Sequence, residues 1–201
     1  MISRFRSLQN QLVQEFSIGC RDLHVIEWGG DKKYNYVQYF SDAASFKLTN
    51  IEGSGADYVE DITKLSHENN SVEAAICISV LQHVFPLDTA ISEIIRVLKP
   101  GGKCLITNGF MFPVCMEDDY YRLTPAFWEH RLKNELVDYE IILIGNVYTS
   151  IFEFLMRPYQ RYKGRKNILN KFLSLPFGAL ASLTNIKDST PLGVAVILYK
   201  K

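Results

Sequence analysis

No stretch of this chain is both long and apolar enough to cross a bilayer. The longest uncharged run, Phe172 to Ile186, has 15 residues and is broken by Pro176, Ser182, Thr184 and Asn185, short of the ~20 apolar residues a span requires. Arg4 and Arg6 are followed by no apolar block and no small-residue cleavage site, so a signal peptide is not expected and the chain reads as cytoplasmic. Cys20, Cys77, Cys104 and Cys115 stand far apart, with no CxxC pair and no clustered histidines. That spacing argues against a disulfide framework and against structural zinc, and no metal site is expected. Charge of one sign is not in excess either: 22 basic and 22 acidic residues cancel, which leaves no strong basic field for a nucleic-acid partner. Internal repeats, low-complexity tracts and a GxGxxG run are also missing.

What is present is a core. With 47% hydrophobic residues in 201 positions, the chain suits one domain spanning residues 1–201. Charge is unevenly spread: residues 1–153 carry 13 Lys and Arg against 21 Asp and Glu, and residues 154–201 carry 9 against 1. Phe5, Leu8, Leu12 and Phe16 recur at helical spacing, so residues 1–20 are expected to form an amphipathic helix. Leu23 to Trp28 is a short apolar run stopping at Gly29-Gly30, as a buried strand stops at a tight turn. Ser45 to Thr49 and Asp57 to Glu60 read as weaker strands, separated by the turn-rich Glu52-Gly53-Ser54-Gly55. Ala74 to Val80 is almost wholly apolar and suits a central strand covered on both faces. A striped helix, Asp88 to Lys99, follows; Pro100-Gly101-Gly102 is expected to end it, and Lys103 to Thr107 to form the next strand. Strand, helix, glycine turn and strand within about 35 residues make a βαβ unit and a parallel sheet, so the fold class is α/β. A helix near Pro125 to Lys133 and strands at Tyr139 to Ile144 and Leu192 to Tyr199 complete the series.

Ligands of open α/β sheets lie beyond the carboxyl ends of the strands. The first such end is Glu27-Trp28-Gly29-Gly30-Asp31, where glycines let backbone N–H groups approach a ligand. Asn50 stands about twenty residues on, where a ribose-binding acid would sit; its amide can bond a hydroxyl but lacks the charge that strengthens a carboxylate's bond. Asp61 could accept from an adenine amino group with Ile62 covering the ring, or simply cap a helix.

Taken in order, Val25-Ile26-Glu27-x-Gly29-Gly30, Tyr58-Val59-Glu60-Asp61-Ile62, Ile78 to Val84 and the block Glu93 to Gly102, "EIIRVLKPGG", resemble the class I S-adenosylmethionine-dependent methyltransferases over roughly residues 20 to 135. The segment Phe110 to Val114, followed by Asp119 to Pro125, is similar to a subgroup found in bacterial glycan and cell-surface polysaccharide biosynthesis. The resemblance implies a Rossmann-like, doubly wound, mostly parallel seven-stranded sheet with an antiparallel last strand. It also implies S-adenosylmethionine as cofactor and a small molecule or saccharide as acceptor. Residue by residue, Glu27, Gly29 and Gly30 would border the methionine part, Asn50 the ribose, Asp61 and Ile62 the adenine, and Ser79 and Val80 the sulfonium. His83 and Asp119 are the candidate catalytic bases, and Tyr120, Tyr121 and Arg122 would shape the acceptor side. Three positions depart from the pattern: Asp31 replaces a glycine, Asn50 an acid, and Cys115 stands near the place of a histidine. They keep open a second reading, a non-catalytic domain that retained the fold for binding. A nicotinamide-dependent enzyme ranks last, lacking the full glycine run and a substrate domain.

Residues 154–187 hold seven basic residues and no acid, interleaved with Ile168, Leu169, Phe172, Leu173, Leu175, Phe177, Leu180 and Leu183. This segment is expected to be an insertion before the last strand. Its apolar side could dip into an anionic leaflet at the inner membrane face. The favoured alternative is that it covers the sheet, because Pro176 should interrupt any long amphipathic helix.

Overall fold

The computed structural model describes residues 3–51, 55–111, 114, 117–161, 168–183 and 190–201, with backbone alone at 157–161, 168–171, 173 and 181–183. The expected Glu52-Gly53-Ser54 turn, Phe112, Pro113 and Cys115 lie outside the described residues, as do the side chains of all seven basic residues of 154–187.

Helix α1 (Arg4–Ile18) begins where the Ser3 hydroxyl accepts the Arg6 N–H at 3.1 Å and ends at Gly19. It buries Phe5, Val13 and Phe16 on one face of the sheet. The strands follow as β1 (His24–Trp28), β2 (Ser45–Asn50), β3 (Tyr58–Val59), β4 (Val72–Ile78), β5 (Leu98–Gly109), β6 (Val137–Ile144) and β7 (Gly193–Lys200). The sheet order is β3-β2-β1-β4-β5-β7-β6. The pairs from β3 through β5 are parallel, and β7 is antiparallel to both β5 and β6. This is the seven-stranded class I methyltransferase fold, and the strand order reverses between β1 and β4.

The best strands in the sequence are the centre of the sheet. Ala74, Ala75, Ile76 and Cys77 in β4 and Cys104, Leu105 and Ile106 in β5 are fully buried, with successive side chains entering opposite cores. Helix α2 (Leu87–Val97) supplies Ala90, Ile91, Ile94 and Ile95 to the core opposite α1. There it joins α3 (Pro125–Leu132), which starts with Thr124 Oγ1 accepting the Phe127 N–H at 3.1 Å and buries Trp128 and Leu132.

Three expectations change. Helix α2 stops at Val97, not Lys99, and Pro100-Gly101-Gly102 lies inside β5 rather than ahead of it. The register jumps from Val72 opposite Leu98 to Ala74 opposite Lys103, so the intervening residues bulge out. A Cβ on Gly102 would stand 2.8 Å from the carbonyl oxygens of both Lys99 and Val72, so only glycine fits the bulge. Strand β4 ends at Ile78, which puts Ser79 and Val80 in the loop beyond it. Finally, residues 147–161 and 168–183 form two helices, α4 (Val147–Arg161) and α5 (Ile168–Leu183), and Pro176 lies within α5 without ending it. Packing overrides the proline's missing donor: a Cβ on Gly178 would be 3.0 Å from the Phe152 ring of α4. Phe154, Phe172, Leu175 and Leu180 of this pair are exposed, so these four do not cover the sheet. No helix among the described residues is long and apolar enough to cross a membrane.

Candidate active site

A cavity of about 450 Å³ opens at the carboxyl ends of β1, β2, β3 and β4, at the point where strand order reverses. Of the residues expected to hold the cofactor, Gly29, Asn50, Asp61, Ile62, Ser79 and Val80 line it, and His83 joins them. Glu27 and Gly30 do not. Strand alternation explains Glu27: Ile26 and Trp28 face the α2 side, while Val25 and Glu27 turn toward α1. There Glu27 is 3% exposed and accepts the Tyr36 N–H at 3.2 Å. Burial raises its carboxyl to about 7, against the opposing pull of that N–H and of the Arg6 charge. Gly30 is enclosed beneath the loop, where a Cβ would meet Leu48 at 2.5 Å.

The loop conformation depends on one glycine. Gly29 has φ +75°, and Val80 lies so close that a Cβ at Gly29 would stand 2.4 Å from its Cγ2. Asp31, in the place of a further glycine, needs no positive φ; it closes a turn by accepting the Lys33 N–H at 2.7 Å. Asn50 ties the rim together, donating from Nδ2 to the Gly30 carbonyl at 3.0 Å while Oδ1 accepts the Ile51 N–H at 2.7 Å. Asp61 accepts from both the backbone and the hydroxyl of Thr63 at 2.8 Å.

The cavity wall also holds acids that sequence reasoning passed over. Glu60 is 7% exposed; its Oε1 accepts from the Ser66 backbone and hydroxyl, while Oε2 is buried without a hydrogen bond, its nearest basic neighbour being His67 Nε2 at 3.7 Å. Trp28, 1% exposed, brings a buried indole N–H in the same condition. An unsatisfied acceptor and an unsatisfied donor among the lining residues are what an adenosyl group, rich in amino, ring-nitrogen and hydroxyl functions, could use. The residues present therefore fit that group.

Beyond β4 the chain turns sharply. Ser79 takes φ +58°, its N–H donates to the Thr107 carbonyl at 2.8 Å, and its hydroxyl accepts from Gln9 Nε2 of α1 at 2.7 Å. Gln82 Nε2 donates to the Ser79 carbonyl at 3.0 Å, and Gln82 Oε1 accepts from Asn108 Nδ2 at 2.9 Å. His83, on the same 3₁₀ turn (Leu81–His83), points Nδ1 at Asp118, 3.2 Å from Oδ1 and 3.3 Å from the carbonyl oxygen. Asp118 lines the cavity with His83. Asp119, the neighbouring acid singled out from the sequence, does not; its side chain is 1% exposed and forms an ion pair with Arg122, with Arg122 Nη2 donating to Oδ2 at 2.8 Å.

Two depressions adjoin the cavity. One, about 520 Å³, is lined by Phe85, Tyr121, Arg122 and Phe127 among others, and shares Phe85 with the cavity. Exposed Phe85 and Tyr120 stand 6.0 Å apart between ring centroids, and Tyr120 and Tyr121 repeat that spacing. The other, about 300 Å³, lies under α1 and shares Ser79 and His83 with the cavity.

The strand order, the antiparallel β7 and the cavity at the reversal point define the architecture of a class I methyltransferase. Residues 18–106 match the family model described as a methyltransferase domain, the match that supports S-adenosylmethionine as the cofactor. The fold is shared with phosphoethanolamine N-methyltransferase 2 of Haemonchus contortus, solved in complex with S-adenosyl-L-methionine: TM-score 0.60 and 20% identity, over 96% of this chain and 52% of that one. This chain thus spans about half the length of the Haemonchus protein. It is also similar to the YcgJ protein of Bacillus subtilis, with TM-score 0.59 and 11% identity over 96% and 97% of the two chains. The [4+2]-cyclase SpnF has TM-score 0.59 and 16% identity over 96% of this chain and 79% of its own. At such identities the likeness concerns the fold, and a cyclase among the fold's members underlines that chemistry must be argued from the site. No curated protein sequence matches the chain significantly.

Proposed function

We propose that the protein is an S-adenosylmethionine-dependent methyltransferase acting on a small-molecule or saccharide acceptor, with a role in cell-surface glycan synthesis. The observation that carries this reading is the meeting, at one cavity on the strand-reversal rim, of Asn50, Asp61, Ser79 and the His83–Asp118 pair. The cofactor would supply an electrophilic methyl group. Asn50, Glu60, Asp61 and Ile62 would bind its nucleoside, Ser79 and Val80 would border the methyl-bearing sulfur, and His83 would take the acceptor's proton. Phe85, Tyr120 and Tyr121 offer aromatic faces to an acceptor ring, with Arg122 beside them, which favours a saccharide or another flat, partly apolar acceptor. Asn50, with both amide atoms bonded within the protein, favours the second reading, a binding domain that transfers no methyl group.

Calorimetric titration with S-adenosylhomocysteine separates the two. Binding in the micromolar range is expected for the wild type, and Asp61→Ala should weaken it about tenfold or more, as loss of a charged hydrogen-bond partner does. Absence of heat at millimolar ligand excludes the enzyme reading.

The exposed Phe154, Phe172, Leu175 and Leu180 of the helical pair, in a segment whose sequence is basic throughout, support peripheral contact with an anionic leaflet. Co-sedimentation with phosphatidylglycerol vesicles at low salt, lost at high salt and in the Phe172→Ser/Leu175→Ser double variant, is the expected result. Equal recovery with neutral vesicles would remove the charge argument.

A further inference from the structure

We propose that the depression under α1 is an anion subsite of the same active site, in which Arg6 takes a carboxylate. The inference rests on the methyltransferase reading for its location and on the charge inventory for its content. The main cavity is lined by three carboxylates, Glu60, Asp61 and Asp118, and by no lysine or arginine. Such a wall favours a sulfonium and an ammonium group, and it disfavours the carboxylate that an amino-acid-bearing cofactor also carries.

Two cations border that cavity at one remove: Arg122, past Phe85, is paired with Asp119, whereas Arg6 is reached past the shared border, Ser79 and His83, in the depression under α1. Ser3, Arg6, Gln9 and Gln82 line this space, and no carboxylate does. Arg6 is held there by one hydrogen bond, from Nη1 to the Tyr36 hydroxyl, and by its position 5.7 Å from the centroid of the Tyr36 ring. A guanidinium has five donors. Among the described residues Arg6 forms no ion pair within 4.0 Å; its charge reaches the buried Glu27 carboxylate only at longer range, and the side chain lines the depression, where its remaining donors can serve a ligand. Gln9, 2% exposed and bonded to both Ser79 and Thr107 at 2.7 Å, fixes α1, and with it Arg6, over the end of β4.

A carboxylate could reach Arg6 from two sources, the amino-acid end of the cofactor or an acid group on the acceptor, and three ligands distinguish them. Wild type and Arg6→Gln are titrated calorimetrically with S-adenosylhomocysteine and with methylthioadenosine, which lacks the amino-acid end. Acetate is then followed by NMR at the Arg6 Nε resonance with methylthioadenosine bound. If the cofactor is the source, Arg6→Gln weakens S-adenosylhomocysteine tenfold or more and leaves methylthioadenosine unchanged, and Arg6→Lys recovers part of the loss. If the acceptor is the source, neither nucleoside is affected, and acetate shifts the Arg6 resonance even with S-adenosylhomocysteine in place. Equal weakening of both nucleosides would show that Arg6 acts only through the fold and would overturn the proposal. So would an unshifted resonance together with unchanged nucleoside affinities. If the wild type binds neither nucleoside, the methyltransferase reading fails, and acetate without nucleoside alone decides whether the subsite exists.

Discussion

At pH 8 the Glu27→Gln variant should unfold well above the wild type, and at pH 4.5 the two should unfold together. The carboxyl sits at the end of β1 in a nearly closed environment, and burial raises it from an ordinary 4.5 to about 7. A folded-state value above the unfolded one means that the native protein binds more protons between those limits, so stability falls as pH rises from about 4.5 through about 7. The full difference corresponds to about 3 kcal/mol at one pH unit per 1.36 kcal/mol. That is a ceiling, equivalent to roughly 5–10 °C for a chain of this length. Glutamine is neutral throughout and its carbonyl can still accept the Tyr36 N–H, so the substitution removes the ionisation and keeps the bond. Circular-dichroism melts at pH 4.5, 6 and 8 give the answer. A gain of equal size at all three values would trace to packing and would count against ionisation as the cause.

The same residue shows where the sequence was legible and where it was not. The apolar runs at 74–80 and 103–107 and the striped helix between them specify a buried parallel pair with a crossover, because no other arrangement hides those side chains on both faces. Which residues then meet at the rim is a finer matter of parity and turn geometry. Alternation along β1 already contained the answer for Glu27, since it shares a face with Val25 and not with Trp28. The choice between Asp118 and Asp119 was not available in the same way. Adjacent acids in a loop without periodicity differ only once the chain is folded, one facing His83 and the other Arg122. Glu60 was hidden by the same adjacency beside Asp61. Local rules failed outright at Pro176, where the contact between α5 and α4 is a tertiary fact with no signature in the helix's own residues.

Removal of the imidazole at position 83 should cost the largest factor in turnover. A general base contributes about 10²–10⁴-fold, so His83→Ala is expected to lose activity by that factor while S-adenosylhomocysteine affinity changes by less than about threefold. The hydrogen-bond pattern assigns the tautomer: with Nδ1–H donated to Asp118, Nε2 carries the lone pair and accepts from Gln82 Nε2 at 3.3 Å, a long bond that the acceptor's hydroxyl would replace. Asp118 is then a positioning residue, acting on the proton through His83, and its carboxylate also stabilises the imidazolium that forms when the acceptor's proton arrives. Asp118→Asn should lower kcat by about tenfold or more with KM for the acceptor and S-adenosylhomocysteine affinity little changed. Asp119→Asn provides the contrast. It weakens the ion pair with Arg122, so it should act on stability and on acceptor KM and leave kcat near the wild-type value. If Asp119→Asn lowered kcat and Asp118→Asn did not, the proton would have to leave by the other side of the loop, and the assignment of His83 would fall with it.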